Sequence, residues 1–207
     1  MTERITSSSG PDAPNRTADD TDRARAQLYA LLGALLLRAP DAAMLARLSG
    51  LQGAPTPLGL AQIALAEAAA GTGAAAVQRE YFDLFIGVGR GELVPYASYY
   101  LTGFLNERPL ARLRGDLDRL GLARAAGHRD PEDHVGTLFE IMSGFASGAF
   151  PATAAEERAF FLNHLALWAP RFLADLETAG KARFYRAVGR LGALYMEIEA
   201  EAFAMDS

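Results

Sequence analysis

The chain has 207 residues, half of them hydrophobic and 22% charged, enough to bury a core without disulfides or a structural metal. It has no cysteine, which excludes disulfides, thiolate metal sites, iron–sulfur ligation and a cysteine nucleophile, and is compatible with a reducing compartment. A net charge of −5 and a pI near 5.3 argue against nucleic-acid binding, which calls for a basic face to displace counterions, and leave room for a basic partner.

Residues 1–20 are rich in Ser, Asp, Thr and Pro around an isolated Ile5, a composition that predicts a disordered N-terminal tail. The tail lacks the apolar core of a secretory signal, so the expected location is cytoplasmic. From Thr21, Leu28, Leu31, Leu32, Leu35 and Leu36 repeat at helical spacing until Pro40 stops the helix, and Asp41 is placed to cap a short one. Thr56 followed by Pro57 opens a helix to about Ala70, and another covers Ala74 to Ile86. Gly87, Gly89 and Gly91 then predict a loop to Pro95. Shorter helices cover Ser98 to Asn106 and Pro109 to Leu120. Asp130 as cap, Pro131 at the first helical position, and Glu132 and Asp133 in the first turn predict the next start, ahead of Val135, Leu138, Phe139, Met142 and Phe145.

A capping box at Thr153 and Glu156 opens a stripe of Phe161, Leu165, Trp168, Phe172 and Leu176. Phe184, Val188, Leu191, Tyr195 and Ile198 form the last one. No alternating strand run is found. The expected fold is all-α, a single-domain bundle of about eight to nine helices over residues 21–207. The apolar runs Leu28–Leu37 and Leu58–Ala76 are short or interrupted against the roughly 20 residues of a span, so no stable membrane insertion is expected.

Catalytic patterns fit poorly. The glycines at 87, 89 and 91 lack the Gly-Lys-Ser/Thr of a phosphate loop and the Gly-x-Gly-x-x-Gly of a dinucleotide site. The three histidines, His128, His134 and His164, lie far apart without zinc-motif spacing, so neither a metal nor a cofactor is expected.

Two segments carry more information. Six aromatics fall within residues 81–100, around the glycine-rich loop; the plain reading is core packing plus a turn, and tyrosine also suits a peptide groove with one wet end. Asp130, Glu132, Asp133 and His134 read either as a capped helix start or as a group able to hold a partner's arginines.

At these residues the chain resembles the TorD/DmsD/NarJ-type family of redox-enzyme maturation chaperones. The matching pieces are Glu80-Tyr81-Phe82-Asp83-Leu84-Phe85, Pro95-Tyr96-Ala97-Ser98-Tyr99-Tyr100, Pro131-Glu132-Asp133-His134 with Phe139-Glu140 and Met142, Phe160-Phe161 with His164-Leu165 and Trp168, and Phe184-Tyr185. Ala97 stands where an acidic residue is common in the family, and Asp130 where glutamate often begins the motif.

The resemblance implies an all-helical chaperone that catalyses no reaction. Its partner would be a molybdopterin oxidoreductase catalytic subunit, of the dimethyl-sulfoxide-reductase or formate-dehydrogenase type, or that subunit's twin-arginine signal peptide. Carried onto this sequence, the peptide-binding residues are Tyr81, Phe85, Pro95, Tyr96, Ser98, Tyr100, Asp133, His134 and Glu140. The chain would act as a monomer or a domain-swapped dimer. The competing expectation is a small helical metal-dependent hydrolase using Asp133, His134 and Glu140.

Overall fold

A computed structural model describes residues 5–7, 19–125 and 130–205. In chain order its elements are β1 (Ile5–Ser7), α1 (Asp20–Leu37), α2 (Ala42–Leu48), α3 (Pro57–Ala70), α4 (Ala74–Tyr81), a π-helical turn (Phe82–Ile86), α5 (Ala97–Thr102), α6 (Arg108–Arg119), β2 (Leu122–Arg124), α7 (Val135–Ser147), α8 (Ala154–His164), α9 (Ala169–Thr178) and α10 (Phe184–Met205). The expected all-α class is met, with one small antiparallel ribbon of β1 and β2 beside the helices. The chain divides into two compact units, Met1–Leu37 with Tyr96–Trp168 and Arg38–Pro95 with Ala169–Ser207, where the sequence predicts one helical domain. Among the described residues no single helix is long and apolar enough to cross a membrane.

Local signals account for several starts. Asp41 accepts the amide of Met44 at 2.7 Å to cap α2, Thr56 accepts that of Gly59 at 3.1 Å to cap α3, and Thr153 with Glu156 closes the capping box of α8. In the first unit α1 lies on α7, burying Tyr29, Leu32 and Leu36 with Leu138, Phe139 and Met142; the Tyr29 and Phe139 rings are 5.7 Å apart. Two glycines allow this approach: a Cβ on Gly33 would stand 3.1 Å from the Gly136 carbonyl, and one on Gly136 would stand 2.6 Å from Leu37 Cγ. In the second unit α10 packs on α9 and α3, with Gly189 passing the α9 backbone closely enough that a Cβ would meet Glu177 N at 2.6 Å.

The structure departs from the sequence expectations at five places. Ile5–Ser7, assigned to a disordered tail, forms β1, with Ile5 buried; residues 8–18 lie outside the described ones. The helix expected from Ala74 to Ile86 stops at Tyr81 and widens into the π turn, closed by the Gly87 amide on the Phe82 carbonyl at 2.7 Å. The helix expected to start at Pro131 starts at Val135, because the preceding residues bond to other elements. The stripe from Phe161 to Leu176 is split between α8 and α9, where Leu165 leaves helical geometry (φ −120°, ψ −53°). Trp168 Nε1 donates to the carbonyl of His164 at 2.7 Å, satisfying an end group of α8, and Phe172 and Leu176 of α9 are buried. Ile198 is 43% exposed, and the α10 stripe continues through Met196 and Phe203 instead.

Gly136→Ala should destabilise the fold by about 1–3 kcal/mol through this steric conflict. Gly115→Ala, inside α6 with no atom within 4 Å of its would-be Cβ, should instead stabilise by about 0.5–1 kcal/mol. Urea denaturation of both variants checks the contrast in sign.

Candidate functional site

Within the first unit, residues Glu132 to His134 each serve a different element. Glu132, buried, accepts Arg114 of α6 at 2.9–3.0 Å and lies 3.6 Å from Arg124 of β2. Asp133 offers its main-chain carbonyl to the Ala97 amide at 2.9 Å and its carboxylate Oδ2 to the Ser98 amide at 2.8 Å. It therefore caps α5 from 35 positions away. His134 is in extended conformation, and its Nδ1 accepts the Gly136 amide at 3.0 Å, so the histidine caps α7. These bonds hold residues 130–133 out of the helix that Asp130 and Pro131 predict. They also commit Glu132 to the chain's own arginines rather than to a partner's.

One atom of this arrangement is left over. Asp133 is 1% exposed, and its Oδ1 is buried with no hydrogen-bond partner among the described residues. Asp133 lines a recess of about 40 Å³ with Leu101, Arg112, Leu138, His164 and Leu167. That volume holds the tip of one side chain or a few waters. Leu101 and Leu167 make an apolar rim, 42% and 65% exposed.

His164 Nε2 lies 2.5 Å from Asp116 Oδ2. Burial pushes the imidazole pKa down more than the Asp116 hydrogen bond and charge push it up. The ring is therefore neutral at pH 7 and donates from Nε2 to Asp116, which leaves Nδ1 as an acceptor.

The structure gathers Tyr96, Ser98, Asp133 and His134 of the sequence-derived candidates. Tyr96 forms a bridge to His134 and sets its ring edge-on to the imidazole at 5.0 Å. Ser98 is fully buried and accepts the Glu107 amide at 3.3 Å, a bond that joins α5 to the start of α6. Tyr100 packs on Trp168 at 5.5 Å. Glu140 is half-buried on α7, with its Cγ 3.5 Å from where a Cβ on Gly33 would stand.

Tyr81, Phe85 and Pro95 belong to the second unit. There Tyr81 and Phe85 pack with each other at 5.0 Å and with Tyr185 at 5.8 and 5.3 Å, and Pro95 is buried. Arg112, His164, Leu101 and Leu167 were not among the candidates. Their convergence on Asp133 depends on α5, α6 and α8 meeting in space, which no local spacing encodes. His128 lies outside the described residues. Among those described, no three His, Asp or Glu side chains converge as metal ligands. The hydrolase expectation thus lacks its assembled triad, and His134 Nδ1 is occupied in capping α7.

Residues 51–174 match the family described as nitrate reductase delta subunit. The chain belongs to this family. Two curated relatives, both named chaperone protein TorD, come from Aliivibrio fischeri and Aeromonas salmonicida. The first is 26% identical over 60% of this chain and 63% of its own length, the second 28% identical over 49% and 51%. The chain thus spans less than two thirds of the curated relatives it matches. The fold is similar to that of a candidate redox enzyme maturation protein from Archaeoglobus fulgidus, with a TM-score of 0.57 at 20% identity, covering 89% of this chain and 98% of that one. These family relationships bear out the resemblance read from the motifs, and the relatives are named for a chaperone, not for an enzyme.

The depressed pKa of His164 gives stability a sign with pH. The unfolded chain binds this proton near pH 6.5 and the folded chain resists it, so stability falls as pH drops through the unfolded value. Thermal melts should show a decline from pH 7.5 to 5.5 that His164→Gln makes shallower. Parallel slopes for the two proteins would mean the imidazole is protonated in the folded state.

Proposed function

We propose that this chain is a cytoplasmic maturation chaperone for a molybdopterin-containing oxidoreductase subunit, and that it binds the subunit's twin-arginine signal peptide or N-terminal segment without catalysing a reaction. Family membership and the chaperone name of the relatives support the general role. The observation that supports a peptide site in this chain is the unsatisfied carboxylate oxygen of Asp133 in an apolar-rimmed recess.

A buried acceptor without a donor costs about 1–3 kcal/mol, a cost that an incoming N–H group removes. A guanidinium tip would carry the charge and donors that the Asp133 carboxylate lacks, in a recess that Arg112 also lines, with neutral His164 as a further acceptor. An apolar segment following the arginine would lie on Leu101 and Leu167, while the exposed Phe104 and Leu105 extend apolar surface beyond α5. The recess has room for one such side chain. A second arginine would remain outside it.

Because Asp133 and His134 cap helices, replacing both with alanine would weaken the fold as well as the site. Asp133→Asn is the cleaner change, since its amide oxygen can still accept the Ser98 amide. Titration calorimetry with twin-arginine peptides from the host's molybdoenzymes should show saturable, salt-sensitive binding to one of them. Asp133→Asn should weaken that binding by about 10- to 100-fold with little change in melting temperature, matching a lost charge-assisted bond. Equal affinity for the two proteins would remove Asp133 from the site, and no saturable binding to any peptide would overturn the signal-peptide reading.

A further inference from the structure

Among the described residues, β1 touches the first unit at β2 and α7. It pairs antiparallel with β2 through Ile5↔Arg124, Thr6↔Ala123 and Ser7↔Leu122, and the Thr6 hydroxyl donates to the Ala123 carbonyl at 3.4 Å. Ile5 is buried, 2% exposed, on a strand that touches α7. Among the described residues the sheet contains only these two strands. Residues 8–19, Ser-Ser-Gly-Pro-Asp-Ala-Pro-Asn-Arg-Thr-Ala-Asp, join β1 to α1 in the sequence.

Strand β2 leads toward the site. Arg124, the partner of Ile5, lies 3.6 Å from the Glu132 carboxylate, and Asp133 is the next residue.

We propose that β2 is a strand-addition edge, that β1 is its displaceable occupant, and that an extended segment of the client, with a branched aliphatic residue in place of Ile5 and small residues after it, replaces β1. An uncovered edge strand is a template for unwanted pairing, which gives a tethered cover a use. The pairing is only three residues long, so a client already held at Asp133 can compete for the edge. Main-chain bonds would supply affinity without reading sequence, and the Ile5 pocket would supply the preference. The identity of the occupant rests on the chaperone reading; the edge itself does not.

The first test uses the full chain carrying Ile5→Asp, which cannot keep an aspartate in the apolar pocket and should release β1. A synthetic peptide copying residues 1–10 should then cause saturable NMR shifts at the Leu122, Ala123 and Arg124 amides. The same peptide with aspartate at its fifth position should cause none. Silence at those amides up to several millimolar peptide, in a chain with unchanged helical content, would overturn the proposal.

The second test uses the absence of native cysteine. Thr6→Cys with Ala123→Cys locks β1 in place when oxidised and frees it when reduced. A client peptide spanning the twin-arginine segment and the residues after it should bind the reduced form at least about tenfold more tightly. Equal affinities would overturn displacement of β1 by the client. If the copy peptide fills the edge and no twin-arginine peptide binds either form, strand addition stands and the signal-peptide reading falls.

Discussion

The Asp133 carboxylate sits where the start of α5 needs an acceptor, and that requirement arranges the segment around it. Its Oδ2 and main-chain carbonyl take the first two amides of α5, which holds Glu132 and Asp133 in a turn ahead of the extended His134. The turn puts Glu132 in contact with Arg114 and Arg124, and leaves His134 as the residue from which α7 begins. Since α7 is the helix against which α1 packs, three adjacent side chains connect the polar network to the core of the first unit.

The same constraint produces the site. The Asp133 carboxylate turns only Oδ2 toward the helix it caps, and its Oδ1 is buried away from water. Burial of a charge is tolerated when donors surround it and is costly otherwise. In the same unit the neighbouring Glu132 shows the compensated case, held by one arginine and close to a second. Glu132 is satisfied by the chain's own arginines while Asp133 keeps an oxygen without a donor among the described residues, and that difference is the ground on which Asp133, not Glu132, is proposed for recognition.

Much of this fold was legible because its signals are local. Asp41, Thr56 and Thr153 cap the helices they precede, and the stripes ahead of Phe145, Phe172 and Leu191 face the core. Where local and long-range bonding compete, the local rule fails. Asp130 with Pro131 has the pattern of a helix start, but main-chain pairing of Asp133 and His134 with the segment from Tyr96 delays the helix to Val135. Ile5 has no apolar neighbour in sequence, so nothing short of the folded chain could show that β2 and α7 bury it. Of the candidate site residues, the motifs located Asp133 and His134, while the recess itself is formed by α5, α6 and α8 and has no sequence pattern.

The second unit offers a control on this reasoning. Glu80, in the Glu-Tyr-Phe-Asp-Leu-Phe signature, also caps a helix from far away in sequence. Its Oε1 accepts the amides of Arg183 and Tyr185 at 2.8 Å, and its Oε2 accepts that of Phe184 at 3.1 Å. Three donors at the start of α10 satisfy both oxygens, and the helix dipole there favours the negative charge. Tyr81 and Phe85 then pack on Tyr185, the residue Glu80 positions, so this motif is explained by holding α4 to α10. Two signature carboxylates thus do the same architectural task, and only Asp133 retains a buried oxygen beyond what capping uses. The surplus acceptor, rather than membership of a recognisable motif, separates Asp133 from Glu80.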